Sequence, residues 1–485
     1  MDEAAPEGPR CPLDGEVLES QGQFQEGLFR SVAENKNTYW TRLARIPTMQ
    51  TLFEEKLNMQ AEQFETSISN SFPKSGMTRD EIEQELKQLR SQDADPRSTF
   101  PDRWLNDRGL LLDDGTFEVA KAAHLAFFTK GNNYPTVVKF ERDLIQMALS
   151  LFHAGKDATG AVTSGGSESL FLATAAALAN AKERRPHIAR SEIIIPQTGY
   201  PTFEKYERYL GYTIRRVPVD ANFRADVSAM SEAVSENTVM MLASMPSWSH
   251  GVCDPVRELA EIASKHGIWL HVDACVGGFL APFVRELGRD VPEFDFRVPG
   301  VSSISADFHK YGYSGKGVSG VFYRNKVARH QPFIFDTWAA GLYRSPVLTG
   351  TRNGGAIASA WAVMRYLGRD GYLSRAGQIL KLRDAILSFV ERCPGLKIVG
   401  GAELNVVGIG SDYSDVYSIA SKMKDYGWKI NLLKEPGAIQ LVLGPLRDEY
   451  ISLLVHDLEK AVEAVQCEDF RAPSPAVVYS DELTD

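Results

Sequence analysis

The chain reads as an α/β protein built on a mostly parallel β-sheet covered on both faces by helices. Three observations predict this. From about residue 135 to 325, helical periodicity alternates with short β-branched and apolar runs. Those runs are apolar at consecutive positions, the pattern of strands buried on both faces. The residues with chemical potential fall where the runs end, at the carboxyl edge where such sheets gather their chemistry.

The elements follow in order. Residues 1–24 and 468–485 are rich in Pro, Glu, Asp and Ser and read as tails. Residues 25–125 read as a helical segment; within it Asp80 to Leu89 is amphipathic, with Thr78 as its cap. A large domain is expected over 126–345. It opens with helical patterns from Val138 to Phe152 and from Ser169 to Lys182. Glu192 to Ile195, Thr213 to Val217 and Val239 to Ser244 read as strands. Asp254-Pro255 reads as a helix start with Asp at the cap, and Gly267 as its end. Strands are expected again at Ile268 to Val272, Ser302 to Ala306 and Val318 to Tyr323. Residues 346–467 read as a smaller α/β domain. It has two long helical patterns, strands at Asn405 to Ile409 and Ile439 to Leu443, and a last helix over 447–466.

The bulk numbers exclude several classes. With 485 residues, 44% hydrophobic and 24% charged, the chain has the profile of a globular protein of more than one domain. A net charge of −10 with no basic block speaks against nucleic-acid binding. Five scattered cysteines form no pair with metal or redox spacing, so no metal site is expected and a reducing compartment is. The acidic, polar stretch from Met1 to Phe24 has no secretory h-region, and no apolar run reaches the ~18 residues of a membrane span. A cytoplasmic protein is the expectation.

Three motifs carry chemistry. Thr163-Ser164-Gly165-Gly166-Ser167-Glu168-Ser169 is a small-residue turn opening a helix. Its free N–H groups and helix dipole favour an anion, its glycines allow close approach, and the Ser164 and Ser167 hydroxyls add donors. Alone it reads equally as a glycine-rich helix start. Asp273 ends an apolar strand, and a buried carboxylate needs a partner. A helix cap is the plain alternative, which Gly277-Gly278 makes less natural. Lys310 follows another strand end in Phe308-His309-Lys310-Tyr311-Gly312-Tyr313. Considered alone it is a solvated lysine. Taken together, a phosphate cradle, a strand-end carboxylate and a lysine are what pyridoxal phosphate needs. The cradle takes the phosphate, Asp273 keeps the pyridine nitrogen protonated, and Lys310 forms the Schiff base. His309 either serves the cofactor or packs. Lys316, in Ser314-Gly315-Lys316-Gly317, either binds an anionic substrate group or is a turn residue.

From about 140 to 445 the sequence resembles pyridoxal-phosphate enzymes of fold type I in the group II decarboxylase superfamily. Within that superfamily it is most similar to the sphingosine-1-phosphate lyase branch, particularly its soluble bacterial forms. The resemblance rests on His271-Val272-Asp273-Ala274-Cys275-Val276-Gly277-Gly278-Phe279 and Ser305-Ala306-Asp307-Phe308-His309-Lys310-Tyr311-Gly312-Tyr313. His250 to Pro255 and Gly341-Leu342-Tyr343-Arg344-Ser345-Pro346 are shared too. It implies a seven-stranded-type sheet, Lys310 as the Schiff-base lysine and Asp273 at the pyridine nitrogen. It also implies Gly166 and Ser167 at the phosphate, and an obligate homodimer with shared active sites. Gly350-Thr351-Arg352 resembles the segment that reaches a phosphate across the dimer interface.

Three departures bear on substrate. Tyr200, in Thr198-Gly199-Tyr200-Pro201, stands where the lyases have a histidine stacked on the cofactor ring. Tyrosine also stacks but lacks an imidazole's acid–base range. The histidine that meets substrate phosphate in the lyases has no counterpart in Phe128 to Pro135. Arg344 replaces a glycine and is suited to a carboxylate; with Tyr343 and Lys316 it is an expected substrate contact. The expected function is a carbon–carbon lyase acting at Cα of an amine or amino-acid substrate, by aldol-type cleavage or decarboxylation. An aminotransferase or bond-forming enzyme on the same residues is the first alternative, and a non-catalytic scaffold of this fold is the second.

Overall fold

A computed structural model describes residues 75–90, 103–104, 115–131, 133–326, 333–412 and 415–467. The expected tails at 1–24 and 468–485, and most of the segment 25–125, lie outside the described residues. The chain divides into two compact units, Met1–Gln88 with Val478–Asp485, and Leu89–Val477.

The described part of the first unit is largely helix α1 (Arg79–Arg90), whose last two residues fall past the unit's end at Gln88. Its start is a capping box: Glu81 Oε2 accepts from the Thr78 N–H and hydroxyl, each at 2.7 Å, and the Glu81 N–H returns to Thr78 Oγ1.

The second unit carries the site. It begins with β1 (Arg103–Trp104), α2 (Thr116–Phe127) and α3 (Pro135–Leu151). Then come β2 (Thr159–Thr163), α4 (Gly166–Arg184), β3 (Glu192–Pro196), α5 (Thr202–Leu210) and β4 (Thr213–Val217). Next are α6 (Val227–Glu232), β5 (Thr238–Ser244), α7 (Val256–His266), β6 (Trp269–Asp273) and α8 (Ala281–Glu286). β7 (Val301–Ala306) and β8 (Ser319–Tyr323) complete a seven-stranded sheet of order β2-β8-β7-β6-β5-β3-β4. Only β8 runs against its neighbours, so the sheet is mostly parallel, as expected.

Side chains alternate across this sheet. Leu270, Val272, Val301 and Ile304 pack into one core, and Trp269, Ile193, Ile195, Met240 and Val321 into another on the opposite face. Each such fully buried apolar side chain contributes ~1.5–3 kcal/mol, so both faces hold the strands rigid. Burial on both faces is what made β3, β5 and β8 readable as largely apolar runs.

A hairpin of β9 (Phe333–Phe335) and β10 (Tyr343–Ser345) leads into α9 (Gly354–Arg392). The two long helical patterns expected here are the halves of α9, which breaks at Gly368, φ 54° and ψ −172°. That left-handed φ suits glycine. A four-stranded antiparallel sheet follows, order β11-β12-β15-β14: β11 (Leu396–Val399), β12 (Val406–Ser411), β14 (Asn431–Lys434) and β15 (Gly437–Val442). α10 (Val416–Asp425), β13 (Trp428–Lys429, paired with β1) and α11 (Asp448–Cys467) complete the unit.

The sequence reading named none of the short elements α5, α6, α8, β9, β10, β11 and β14, and it differs at two further points. β2 was not expected, because Thr-Gly-Ala-Val-Thr is short, glycine-containing and without a clear period. Asp254 does not cap α7. Its Oδ1 accepts from Ala225 N–H at 2.8 Å and its Oδ2 from Ser244 N–H at 2.7 Å, so it locks a loop to the end of β5.

Candidate active site

The site is built where β6 and β7 end side by side. Asp273, the last residue of β6, is paired in register with Ser305 of β7. The chain leaves β6 through a tight turn that needs Gly278. A Cβ there would lie 2.6 Å from Ala306 Cβ and 2.8 Å from the Ala274 carbonyl oxygen. β7 runs on into Asp307-Phe308-His309-Lys310. The turn is pinned from several sides: Lys310 N–H donates to Asp307 O at 3.3 Å, Tyr311 Oη–H to Leu443 O at 2.6 Å, and Tyr372 Oη–H to Gly312 O at 3.0 Å.

Lys310 Nζ lies 2.8 Å from Asp307 Oδ2, a carboxylate 1% exposed. Ser319 Oγ–H donates to Asp307 Oδ1 at 2.5 Å, and His309 Nε2 is 3.7 Å from Oδ2. Val318 N–H donates to His309 Nδ1 at 3.2 Å, so in the neutral ring Nε2 carries the proton and faces Asp307. Burial disfavours charge on both Lys310 and Asp307, yet their attraction wins. Lys310 is held above the ordinary lysine range and Asp307 below the usual carboxylate range.

Asp273 behaves differently. Burial pushes its carboxyl up, only partly countered by Cys275 and the Lys310 charge. Cys275 N–H donates to its Oδ1 at 3.0 Å and Ser305 Oγ–H to the same oxygen at 3.3 Å. Among the described residues none donates to Oδ2. Asp273 is thus an acid with one open acceptor oxygen, 8% exposed.

The cradle lies against this pair. A Cβ on Gly166 would sit 3.0 Å from both oxygens of Asp307 and 3.1 Å from Cys275 Sγ, so any larger residue would push the helix start off the acid. Ser164 and Ser167 are exposed around it, at the positively polarised end of α4. Glu168 turns back beneath the turn. Its Oε2 accepts from Ser164 N–H at 2.6 Å and Ser164 Oγ–H at 2.7 Å, and its Oε1 from the N–H groups of Leu348 at 2.9 Å and Thr349 at 3.0 Å. Tyr206, from α5, donates its hydroxyl to the Ser167 carbonyl and is itself buried, which lifts its phenol to about 12.

The remaining expected residues are placed as follows. Tyr200 is half-buried against the apolar cluster that includes Cys275 and Trp269. Lys316 is exposed in its turn, where Gly315 N–H donates to Ser359 Oγ. Tyr343 and Arg344 are exposed on β10, with Tyr343 edge-on to Trp338 at 6.2 Å. Gly350 and Thr351 are exposed beyond the strap that Glu168 holds. Arg352 turns inward instead, to Glu141 and the Val162 carbonyl. The contacts thus bring together Gly166, Asp307, Lys310, His309 and Cys275, with Asp273 beside them.

Sequence reasoning missed three participants. Asp307 stands three residues before Lys310, but no spacing rule marks it as the lysine's ion partner. Glu168 was visible as a carboxylate in the first turn of a helix that was itself expected to bind an anion. That conflict was its signal. Tyr206 carried none, since its role depends on the packing of α5 on α4.

These residues fit pyridoxal phosphate. The chain offers a buried-edge amine at Lys310, an acid with an open oxygen at Asp273, and a glycine-lined helix start for a phosphate.

Comparison with known proteins gives the same reading. Residues 118–408 match the pyridoxal-dependent decarboxylase conserved domain. The chain is 38% identical over 339 residues to a sphingosine-1-phosphate lyase of Arabidopsis thaliana, covering 69% of this chain and 62% of that one. It is 41% identical over 312 residues to the rat sphingosine-1-phosphate lyase 1, covering 64% and 55%. The chain therefore spans about three fifths of these relatives' length. A solved sphingosine-1-phosphate lyase of Burkholderia pseudomallei superposes with a TM-score of 0.77 at 33% identity, over 83% of this chain and 94% of that one. A Lactobacillus brevis glutamate decarboxylase, at 18% identity and a TM-score of 0.71, shares the fold. With the domain match spanning most of the second unit and enclosing cradle, acid and lysine, the chain belongs to the pyridoxal-dependent decarboxylase family, and its cofactor is pyridoxal phosphate.

Proposed function

We propose that this chain is a carbon–carbon lyase that cleaves a bond at Cα of an amine substrate. The observation that carries the reading is Lys310 Nζ, 2.8 Å from buried Asp307 at the carboxyl edge of the sheet, with Asp273 on the next strand. When bound, pyridoxal phosphate supplies a conjugated ring that accepts the electron pair left at Cα as a substituent departs.

The chain's own residues do the rest. Lys310 Nζ anchors the cofactor and is the group at hand to carry a proton. Asp307 holds that nitrogen as an ammonium when nothing else engages it. Asp273 Oδ2 is the acceptor for a ring N–H. Gly166, Ser167 and the first turn of α4 receive the phosphate, with Glu168 and Tyr206 fixing the turn's shape. His309 Nε2–H steadies the Asp307 carboxylate. Tyr200 supplies an aromatic face from the apolar side.

The relatives favour aldol-type cleavage of a phosphorylated amino alcohol to an aldehyde and phosphoethanolamine. Arg344 favours a second reading, decarboxylation of an amino acid, because a guanidinium on an exposed hairpin can grip a carboxylate bidentately. The proposal includes a cytoplasmic homodimer with shared sites, in which Gly350, Thr351, Tyr343 and Arg344 serve the partner's substrate or cofactor. Trp338, Leu342 and Leu348, 54%, 69% and 63% exposed, are apolar surface of the kind that subunit contacts cover.

The test is direct. Cofactor-loaded protein is mixed separately with phosphorylated amino alcohols and with amino acids, and aldehyde, phosphoethanolamine and carbon dioxide are measured. Aldehyde supports the first reading and carbon dioxide the second. Keto-acid products alone, or a Lys310→Ala variant that keeps the cofactor's band near ~420 nm and full turnover, would overturn the proposal.

A further inference from the structure

A line of polar groups runs along one face of β6 and β7, behind the acid that faces the cofactor. Side chains alternate along a strand, so Trp269, His271 and Asp273 share one face of β6. Ser303 and Ser305 lie beside them on β7, in register with His271 and Asp273. All five are at most 8% exposed. Trp269 Nε1 is 2.7 Å from Ser303 Oγ, and Ser303 Oγ is 2.7 Å from His271 Nδ1. His271 Nε2 is 3.2 Å from Ser305 Oγ, which is 3.3 Å from Asp273 Oδ1.

Donor chemistry fixes the direction of every link. An indole N–H only donates. Ser303 oxygen therefore accepts from Trp269, and its single hydrogen goes to His271 Nδ1. With the ring proton on Nδ1 instead, Ser303 would receive two N–H groups and its own buried hydrogen would have no acceptor, which folded proteins avoid. The proton therefore sits on Nε2 and is given to Ser305 Oγ. Cys275 Sγ approaches the same oxygen at 3.3 Å, so the hydrogen of Ser305 is left for Asp273. The opposite tautomer would turn the Ser305 hydroxyl back to Nε2 and take a donor from Asp273. Burial holds His271 far below its ordinary 6.5, at about 3, so the ring stays neutral as this order requires.

We propose that His271 is a positioning residue for the cofactor. Held as the Nε2–H imidazole between Ser303 and Ser305, it locks Asp273 Oδ1 to the protein and leaves Oδ2 for the ring nitrogen. The inference rests on the reading that Asp273 takes that nitrogen.

The first measurement needs no cofactor. In the full-length apo-chain labelled with 15N-histidine, His271 is identified among the nine histidines by comparison with His271→Gln. It is expected as the Nε2–H tautomer with no titration from pH 5 to 8. A Trp269→Phe variant, which loses only the directing donor and keeps an aromatic ring, is expected to show mixed tautomers. The second measurement is cofactor affinity: Ser305→Ala, which removes a hydrogen bond to a carboxylate, is expected to weaken pyridoxal phosphate binding about tenfold, and because it also takes the acceptor from the buried His271 Nε2–H the unfolding midpoint falls with it. An Nδ1–H tautomer, titration near the ordinary value, or Ser305→Ala binding within twofold of wild type overturns the proposal. A wild type that binds no pyridoxal phosphate sinks the reading of Asp273 and the proposal with it. Intact binding in both wild type and Ser305→Ala sinks the proposal alone.

Discussion

Replacing Asp307 by asparagine should make the apo-protein load its cofactor faster at neutral pH. The amine that attacks an aldehyde is the free base, so loading is limited by how readily Lys310 gives up its proton. Two charges 2.8 Å apart attract by about 6 kcal/mol at an effective dielectric of ~20. Desolvation of both ions offsets much of this, and with the lysine side chain 24% exposed, water screens part of the rest. A surviving ~3 kcal/mol is about two pKa units. Asparagine keeps an acceptor for Ser319 and removes the charge. Below the lysine's pKa the free-amine fraction rises tenfold per pH unit, so at pH 8 the variant should load about 100-fold faster. Stopped-flow absorbance on mixing apo-chain with pyridoxal phosphate reads this directly. Wild type should climb about tenfold per pH unit without a plateau up to pH 10, and the variant should level off about two units earlier. Superimposable profiles, or a wild-type plateau below pH 8, would refute the role given to Asp307.

Two further outcomes follow from buried groups. Glu168→Gln must point its amide N–H₂ either at Ser164 or at the N–H groups of Leu348 and Thr349, which are donors themselves. It should lose about 2–3 kcal/mol by urea unfolding and weaken cofactor binding at least tenfold; a variant equal to wild type in both would refute the clamp. Neutral His271 makes stability pH-dependent. The unfolded chain takes up a proton near 6.5 that the folded chain refuses until about 3. That contribution is full above 6.5 and lost as pH falls, at about 1.4 kcal/mol per unit. Urea unfolding at pH 7, 6 and 5 should show wild type losing about 1.4 kcal/mol per unit more than His271→Gln below 6.5, since Asp254, whose raised carboxyl adds a slope of the opposite sign, acts equally in both; equal slopes would refute it.

How much of this was legible in the sequence depended on the range of the interaction. Strands β3, β5 and β8 were readable because burial on both faces makes each a largely apolar run, whereas β4, Thr-Ile-Arg-Arg-Val at the sheet edge, was readable only from its β-branched residues. The lysine and the β6 acid were readable because both sit at strand ends in parallel α/β order, a local pattern. β2 was not, since an edge strand beside a glycine turn owes its pairing to β8 and not to its own residues. Asp254 misled for a related reason. Asp-Pro before a helix is a good start signal, but both oxygens of this carboxylate are taken by N–H groups distant in sequence. The cradle motif was legible as an anion site, while the strap that Glu168 holds under it spans residues 164 to 349 and leaves no mark in either segment alone.

Asp254 also shows why a raised carboxyl does not by itself mark a site. Burial pushes it to about 6, in the same direction as Asp273. The two differ in what their oxygens meet. Asp254 has a backbone N–H on each oxygen, so its environment is complete within the chain. Asp273 has both donors on Oδ1 and none from the described residues on Oδ2. Asp307 is shifted the other way because it already holds the lysine ammonium. Of the three buried acids, only Asp273 has an acceptor oxygen open to a new donor. Asparagine substitutions separate the cases. Asp254→Asn must set an N–H₂ against a backbone N–H, and should cost about 1–3 kcal/mol of stability while cofactor affinity moves less than threefold. Asp273→Asn can turn its amide oxygen to Ser305 and Cys275, so the fold should persist. The N–H₂ then faces the ring nitrogen where a carboxylate stood, and affinity for pyridoxal phosphate should fall at least tenfold. If Asp273→Asn instead binds like wild type, the open oxygen has no bearing on the cofactor, and the ring must take its acid from elsewhere.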